Sequence, residues 1–275
     1  MDATIARQTW RTLEPIHGAI YFAPEAFEEY RTLGIDDRMR GYFASRSAAM
    51  GAVDASVVIA TFFNFDPDLV TRSMDGVWDE LSPSDILAAR LRAADRMIRR
   101  LGGELVDAPE TAEAAQLARI AAIEASADPA GRPLFAGHTA LAWPDEPHLV
   151  LWHAQTLLRE YRGDGHIAAL VSAGLSGCEA LVTHAAAGDV PAQVLRATRQ
   201  RTDDDWAAAV ERLTAAGWLA SDGTLTDQGH AGRDGIEAQT DALSLRPYAA
   251  LGEERCRRLR ELARPLSRRM AAALG

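Results

Sequence analysis

The chain has 275 residues, of which 48% are hydrophobic and 25% charged, which excludes a disordered or fibrous protein and accommodates one large domain or two small ones. Its net charge of −10 means that any duplex binding must rest on locally concentrated cations, all 29 of which are arginine. Cys178 and Cys256 stand far apart and form no C-x-x-C pair, so neither a disulfide framework nor a zinc module is suggested and a reducing compartment fits.

The segment Met1–Trp10 lacks the apolar centre of a secretory signal, and the longest apolar run, Val57–Phe63, is far shorter than the ~20 residues that cross a bilayer. A cytoplasmic protein without a membrane span is expected. Glu14 and His17 stand three apart on a predicted helix. With Tyr21, Phe22 and Tyr42 nearby they form either the polar end of an apolar pocket or a core histidine with one partner. Phe62, Phe63 and Phe65, followed by Met74 and Trp78, form the richest aromatic cluster, which is either core or the wall of a site for a flat apolar ligand.

Ser82, Pro83 and Asp85 open a helix that runs to Leu101 on the stripe Leu87, Leu91, Ala94, Ile98 and stops at Gly102-Gly103. A second helix spans Pro109 to about Ala127. Four prolines and two glycines break the pattern over 128–147. We take that stretch as the linker between a helical N-terminal domain, 1–127, and a C-terminal domain, 148–275.

From His148 helical spacing resumes through Trp152, with His153 on the packed face, and a turn is expected at Arg162-Gly163-Asp164-Gly165, then a short helix to Ala173. Ser176 and Glu179 form a capping box, and Thr202 caps a helix whose first turn holds Asp203, Asp204 and Asp205. Asp222-Gly223, between Trp218-Leu219-Ala220 and Thr224-Leu225-Thr226, predicts a small β-hairpin. A helix from Asp227 to Leu245 and an Arg-rich helix from Glu253 to about Ala273 complete the chain. In the last, Leu259, Leu262 and Leu266 make an apolar stripe that docks either on the body or on a second copy in a homodimer.

The expected fold is therefore mainly α, with a winged helix-turn-helix C-terminal half carrying a small β-hairpin. A weak repeat aligns Gly41 with Gly165, Val58 with Val182 and Pro67 with Pro191. It leaves open whether the N-terminal half is a degenerate second winged-helix unit.

Trp206, Ala209-Val210, Leu213, Gly217-Trp218-Leu219, Asp222-Gly223 and Leu225-Thr226-Asp227-Gln228-Gly229 resemble the recognition helix and wing of MarR-type regulators. Glu14-Pro15-Ile16-His17, Gly41-Tyr42-Phe43-Ala44 and the run Leu158–His166 extend the likeness to an actinobacterial family of MarR-like winged-helix proteins. The resemblance implies DNA binding. Asp204, Ala207, Ala208, Glu211 and Ala215 give the recognition helix an acidic, short-chained face. Arg196, Arg199, Arg201, Arg212 and Arg233 are left as DNA-binding candidates, suited to phosphates more than to base edges.

Two functional readings follow. In one, the protein binds a small apolar or aromatic ligand in a cleft between helical halves, through His17, Tyr21, Tyr42, Phe62, Phe65, Trp78 and Arg162, and acts as a transcriptional regulator. In the other, a cofactor-free enzyme of specialised metabolism uses His166 with Asp164, or His17 with Glu14, as acid–base groups. No phosphate loop, dinucleotide fingerprint, nucleophile elbow or metal-binding spacing is present in the sequence, so no cofactor is expected.

Overall fold

The computed structural model describes residues 1–273. In chain order the helices are α1 (Ala3–Gly18), α2 (Pro24–Arg31), α3 (Arg38–Ser47), α4 (Ala55–Thr61), α5 (Pro67–Met74), α6 (Val77–Glu80), α7 (Pro83–Gly102), α8 (Pro109–Ser126) and α9 (Pro133–Thr139). They continue with α10 (Pro147–Ser172), α11 (Gly177–Ala186), α12 (Ala192–Arg199), α13 (Asp203–Ala215), α14 (Asp227–Leu243), α15 (Leu245–Leu251) and α16 (Glu253–Ala272). Among the described residues, no single helix is long and apolar enough to cross a membrane.

The chain folds into two compact units, and neither is continuous in sequence. The first comprises residues 1–53, 76–164 and the chain from Asp241; the second comprises 54–75 and 165–240. The proline-rich stretch 128–147 is therefore no linker. It lies inside the first unit and contains α9, with Pro133 in the first turn where its missing N–H is no loss. Nor does 1–127 stand as a domain, because α4 and α5 belong to the second unit. There the Asp66 N–H donates to the Arg199 carbonyl (3.0 Å), and a side chain at Gly177 would collide with the Phe63 carbonyl. With 54–75 assigned to the second unit, residues 1–127 do not make one compact body.

In the first unit the C-terminal helix is the organising piece: α16 packs along α1, α8 and α7, and α2 packs on α7. Its apolar stripe, Cys256, Leu259, Leu262, Leu266 and Met270, is fully buried. Small residues make this approach close. Ala114, Ala118, Ala121, Ala122 and Ala125 bury one face of α8, and a Cβ at Gly102 would stand 2.8 Å from Leu266 Cδ1. Each large apolar side chain so buried contributes roughly 1.5–3 kcal/mol.

The expected turn at Arg162–Gly165 does not form, and α10 runs unbroken through both glycines. A helical glycine costs about 1 kcal/mol relative to alanine. Tertiary contacts along the helix offset it: Arg162 pairs with buried Asp241 (2.8 Å), and the Asp164 carboxylate accepts the Phe135 N–H (2.9 Å).

In the second unit α11 packs on α12 and α13, with Leu181, Val182, Leu195, Ala209 and Leu213 buried between them. The Ser176–Glu179 capping box is present in full, and Thr202 caps α13 through the Asp205 N–H (3.0 Å). The β-hairpin wing is not found. No β-strand occurs among the described residues, and residues 218–226 make a turn closed by one antiparallel bridge, Leu219 to Leu225. Asp222-Gly223 does turn the chain, with Gly223 at φ 82°, and Ala220 N–H donates to Thr224 O (2.9 Å). Arms of two or three residues, each with one buried leucine, are too short to extend a ladder.

Candidate functional site

Helix α13, expected from the sequence to be the recognition helix, lies in the second unit. On α13, Ala209 and Leu213 face the core, whereas Asp203, Asp204, Asp205, Ala207, Glu211 and Ala215 are exposed and Ala208 is half-buried. The acidic face anticipated from the sequence is thus in solvent. All five arginines expected to meet DNA are engaged within this unit. Arg196 pairs with Asp203 and lies over Trp206, and Arg199 covers the Phe65 ring at 4.6 Å. Arg201 donates to the carbonyls of Asn64 (3.2 Å) and Phe63 (3.4 Å), Arg212 pairs with Glu179 (2.8 Å) and Arg233 with Asp189 (2.9 Å).

The first unit holds a different arrangement, a network of buried polar side chains. Glu160 on α10 accepts two hydrogen bonds from Arg46 Nη2 on α3 (2.9 and 3.1 Å) and one from Arg159 Nη1 (2.9 Å). Arg159 also pairs with Glu14 (2.9 Å), and Arg46 Nη1 donates to the Tyr42 hydroxyl (2.8 Å). Burial pushes the Glu160 carboxyl upward, but Arg46 and Arg159 override it and hold the group at about 2.

His17 joins this network at both nitrogens. Thr156 Oγ1 donates its own proton to the Trp152 carbonyl (2.9 Å), so it accepts from His17 Nδ1–H (2.8 Å). His17 Nε2 then accepts from the Tyr21 hydroxyl (2.7 Å), and the imidazole stacks on Trp152 with centroids 5.6 Å apart. Burial first, then the cations Arg159, Arg90 and Arg46, hold His17 well below the usual imidazole range, so it is neutral at pH 7. With Glu14 given to Arg159, the two form no acid–base pair, and His17 has no free nitrogen for a substrate proton. Of the other proposed pair, Asp164 caps the Phe135 N–H and His166 Nδ1 donates to Thr240 Oγ1 (2.9 Å). Burial raises the Asp164 carboxyl to about 7, against the Phe135 N–H that favours its anion.

Behind the network opens a cavity of about 180 Å³. Its wall is apolar along Leu87, Leu91, Leu141, Pro144 and the Trp152 ring, and its polar end is Arg90, His138, His153 and Thr156. Arg90 is only 3% exposed. It donates to His138 Nε2 (3.2 Å), whose Nδ1–H donates to the Leu134 carbonyl (2.9 Å), and its guanidinium lies over Trp152 at 5.2 Å. Burial, then Arg90, lowers His138 to about 3 and His153 to about 4.

The residues expected to surround a ligand are distributed otherwise. His17, Tyr21 and Tyr42 come together, with the two tyrosine rings edge-on at 5.4 Å, but they stand behind the cavity and do not line it. Phe62 and Phe65 are core of the second unit, and Trp78 in the first donates to the Val53 carbonyl (2.9 Å), so the aromatic cluster is divided. Arg162 is held by Asp241 and stacks on Trp10 at 4.7 Å. The cavity's walls come from 87–91 and 138–156, the second stretch beginning inside the expected linker, and all belong to the first unit.

Arg90, His138 and Trp152 are the residues that sequence reasoning missed. A signal for Arg90 existed: it shares the helical face of Ile86, Ala93, Ala94 and Met97, the stripe that α7 buries. A stripe drawn through Leu87 and Leu91 sits one residue off, and those leucines line the cavity instead.

No curated protein and no solved structure matches the chain. A model of a helix-turn-helix family matches residues 6–275. Acidic though its exposed α13 face is, the chain therefore belongs to the helix-turn-helix family.

Proposed function

We propose that this helix-turn-helix protein binds a small apolar or aromatic molecule in the cavity of its first unit. One observation carries the reading: an apolar cavity lined by Arg90, Trp152 and His153, residues whose Nε, Nε1 and Nε2 atoms are buried without a hydrogen-bond partner among the described residues. Buried donors left unpaired cost about 1–3 kcal/mol each, and sites for small molecules combine apolar walls with a few convergent polar groups in this way. An apolar cavity of about 150 Å³ is enough to admit benzene, so a chamber of about 180 Å³ suits one ring with a polar substituent.

Leu91→Trp fills the chamber from its wall. Benzyl alcohol, used as a probe, is expected to raise the melting temperature of the native protein and to leave the variant unshifted. Equal shifts, or none in either, remove the reading. Membership of the helix-turn-helix family and the MarR-like run through α13 support a regulatory role for the ligand-binding protein, compatible with a DNA partner. The exposed carboxylates on α13 oppose tight sequence recognition. Mobility shifts with its own upstream DNA test this part, and no shift below micromolar protein at low salt removes it.

A further inference from the structure

We infer that the molecule bound in this cavity is a small organic carboxylate, held as the anion by Arg90. The inference rests on the ligand-binding reading above and names the chemistry of its polar end. The buried network contains three arginines, Arg46, Arg90 and Arg159, and two carboxylates, Glu14 and Glu160. Both carboxylates are taken: Glu160 by Arg46 and Arg159, Glu14 by Arg159. The three nearby histidines, His17, His138 and His153, are neutral at pH 7, so none supplies or removes charge. One positive charge is left over, and it sits on Arg90, which makes no ion pair among the described residues.

The partners of Arg90 are all neutral, with no counter-charge among them: the Ser45 carbonyl at 3.4 Å, His138 Nε2 at 3.2 Å, the Tyr21 hydroxyl at 3.5 Å and the Trp152 face. A buried cation without a counter-charge costs several kcal/mol. The Arg90 side chain lines the cavity, as do the side chains of Trp152 and His153. A guanidinium forks onto the two oxygens of a carboxylate through charge-assisted hydrogen bonds. The remaining wall, Leu87, Leu91, Leu141 and Pro144, fits an apolar body of about ring size. A dianion or a phosphate ester is disfavoured, since only one charge is unmatched.

Isothermal titration of the full chain with benzoate and with its neutral isostere benzamide, at pH 7.5, tests this. Benzoate is expected to bind at least tenfold more tightly than benzamide, and Arg90→Met is expected to erase the difference while benzamide affinity changes less than threefold. Should Arg90→Met not fold, Arg90→Lys keeps the charge and loses only the planar fork. It is expected to weaken benzoate three- to tenfold and benzamide less. Equal affinities for acid and amide overturn the anion inference and leave the ligand-binding reading standing, as does a preference that survives Arg90→Met. Failure of both probes to bind at 10 mM, together with no benzyl alcohol shift, overturns both.

Discussion

The first unit draws Arg46, Arg90, Arg159, Glu160 and three neutral histidines into its interior. The second leaves Asp203, Asp204, Asp205 and Glu211 in solvent and ties its arginines to nearby carboxylates, carbonyls and rings. The contrast separates two uses of charge. A buried ion pair repays its desolvation only when every partner is in place, so removing one member leaves the others stranded. An exposed pair contributes between nothing and about 1 kcal/mol and can be exchanged with little effect. The chemistry that depends on position therefore belongs to the first unit, while the exposed α13 face of the second is open to redesign.

The sharpest break of this comparison is Glu160→Gln. It withdraws the carboxylate from Arg46 and Arg159 together, and we expect a loss of about 3–5 kcal/mol by urea denaturation, the range for stripping one member from a buried pair. In the second unit the matching removal of an exposed carboxylate, Glu211→Gln, is expected to stay within about 0.5 kcal/mol. A Glu160→Gln cost below 1 kcal/mol erases the distinction.

Asp164 sharpens it through pH. Its carboxyl is raised to about 7 in the folded chain from about 4 when unfolded, so the fold prefers the protonated form. That contribution is fully present below pH 4 and is lost as pH rises toward 7. Three pKa units correspond to about 4 kcal/mol, and with relaxation around the ion we expect roughly half to be realised. Asp164→Asn, which keeps an acceptor for the Phe135 N–H, should then stabilise the protein by about 2 kcal/mol at pH 8 and by nothing at pH 4. The lowered histidines act oppositely: His17, His138 and His153 stabilise above about pH 6.5, and their contribution is lost as pH falls. In the variant, acid destabilisation should consequently be steeper than in the native chain. Parallel curves of stability against pH defeat the assignment.

The same contrast explains what the sequence made legible. Local signals were faithful wherever the deciding interaction is local: Ser82 and Ser176 cap α7 and α11, Thr202 caps α13, and Gly188 and Gly217 adopt the positive φ expected after helix ends. They failed where a distant residue decides. Gly163 and Gly165 look like a turn until Asp241 and the Phe135 N–H are present, and prolines 129–147 look like a linker until α9 packs within the first unit. The buried network was half visible. Spacing sets His17 beside Glu14, which Arg159 takes, with Tyr21 nearby, but Thr156 is 139 residues from His17 and Glu160 is 114 from Arg46, so no spacing rule connects them.

Within the second unit a smaller effect probes the local side. Ser176 accepts the Glu179 N–H (3.2 Å) and Glu179 accepts the Ser176 N–H (2.7 Å) while also pairing with Arg212. Ser176→Ala deletes one of these bonds and should cost about 1 kcal/mol, the usual value for an N-cap. Hydrogen exchange should locate the loss in the first turn of α11. A loss spread evenly over both units indicates that the cap does more than hold its own helix.

The smallest change in stability comes with the most direct reading of α13. Ala207 and Glu211 lie four apart on the exposed face of α13, so Ala207→Arg with Glu211→Arg puts two cations where carboxylate and methyl stand now. Stability should move by no more than about 0.5 kcal/mol, because neither side chain is buried. Duplex binding should respond far more: each phosphate neutralised steepens the dependence of log affinity on log salt by about 0.9, so the pair adds up to roughly 1.8. If the acidic face is what limits binding, the variant gains affinity for any duplex at low salt and loses the gain as salt is raised. If the native protein already binds tightly and the arginines change nothing, α13 does not meet the duplex, and the contact must be sought on another face of the second unit.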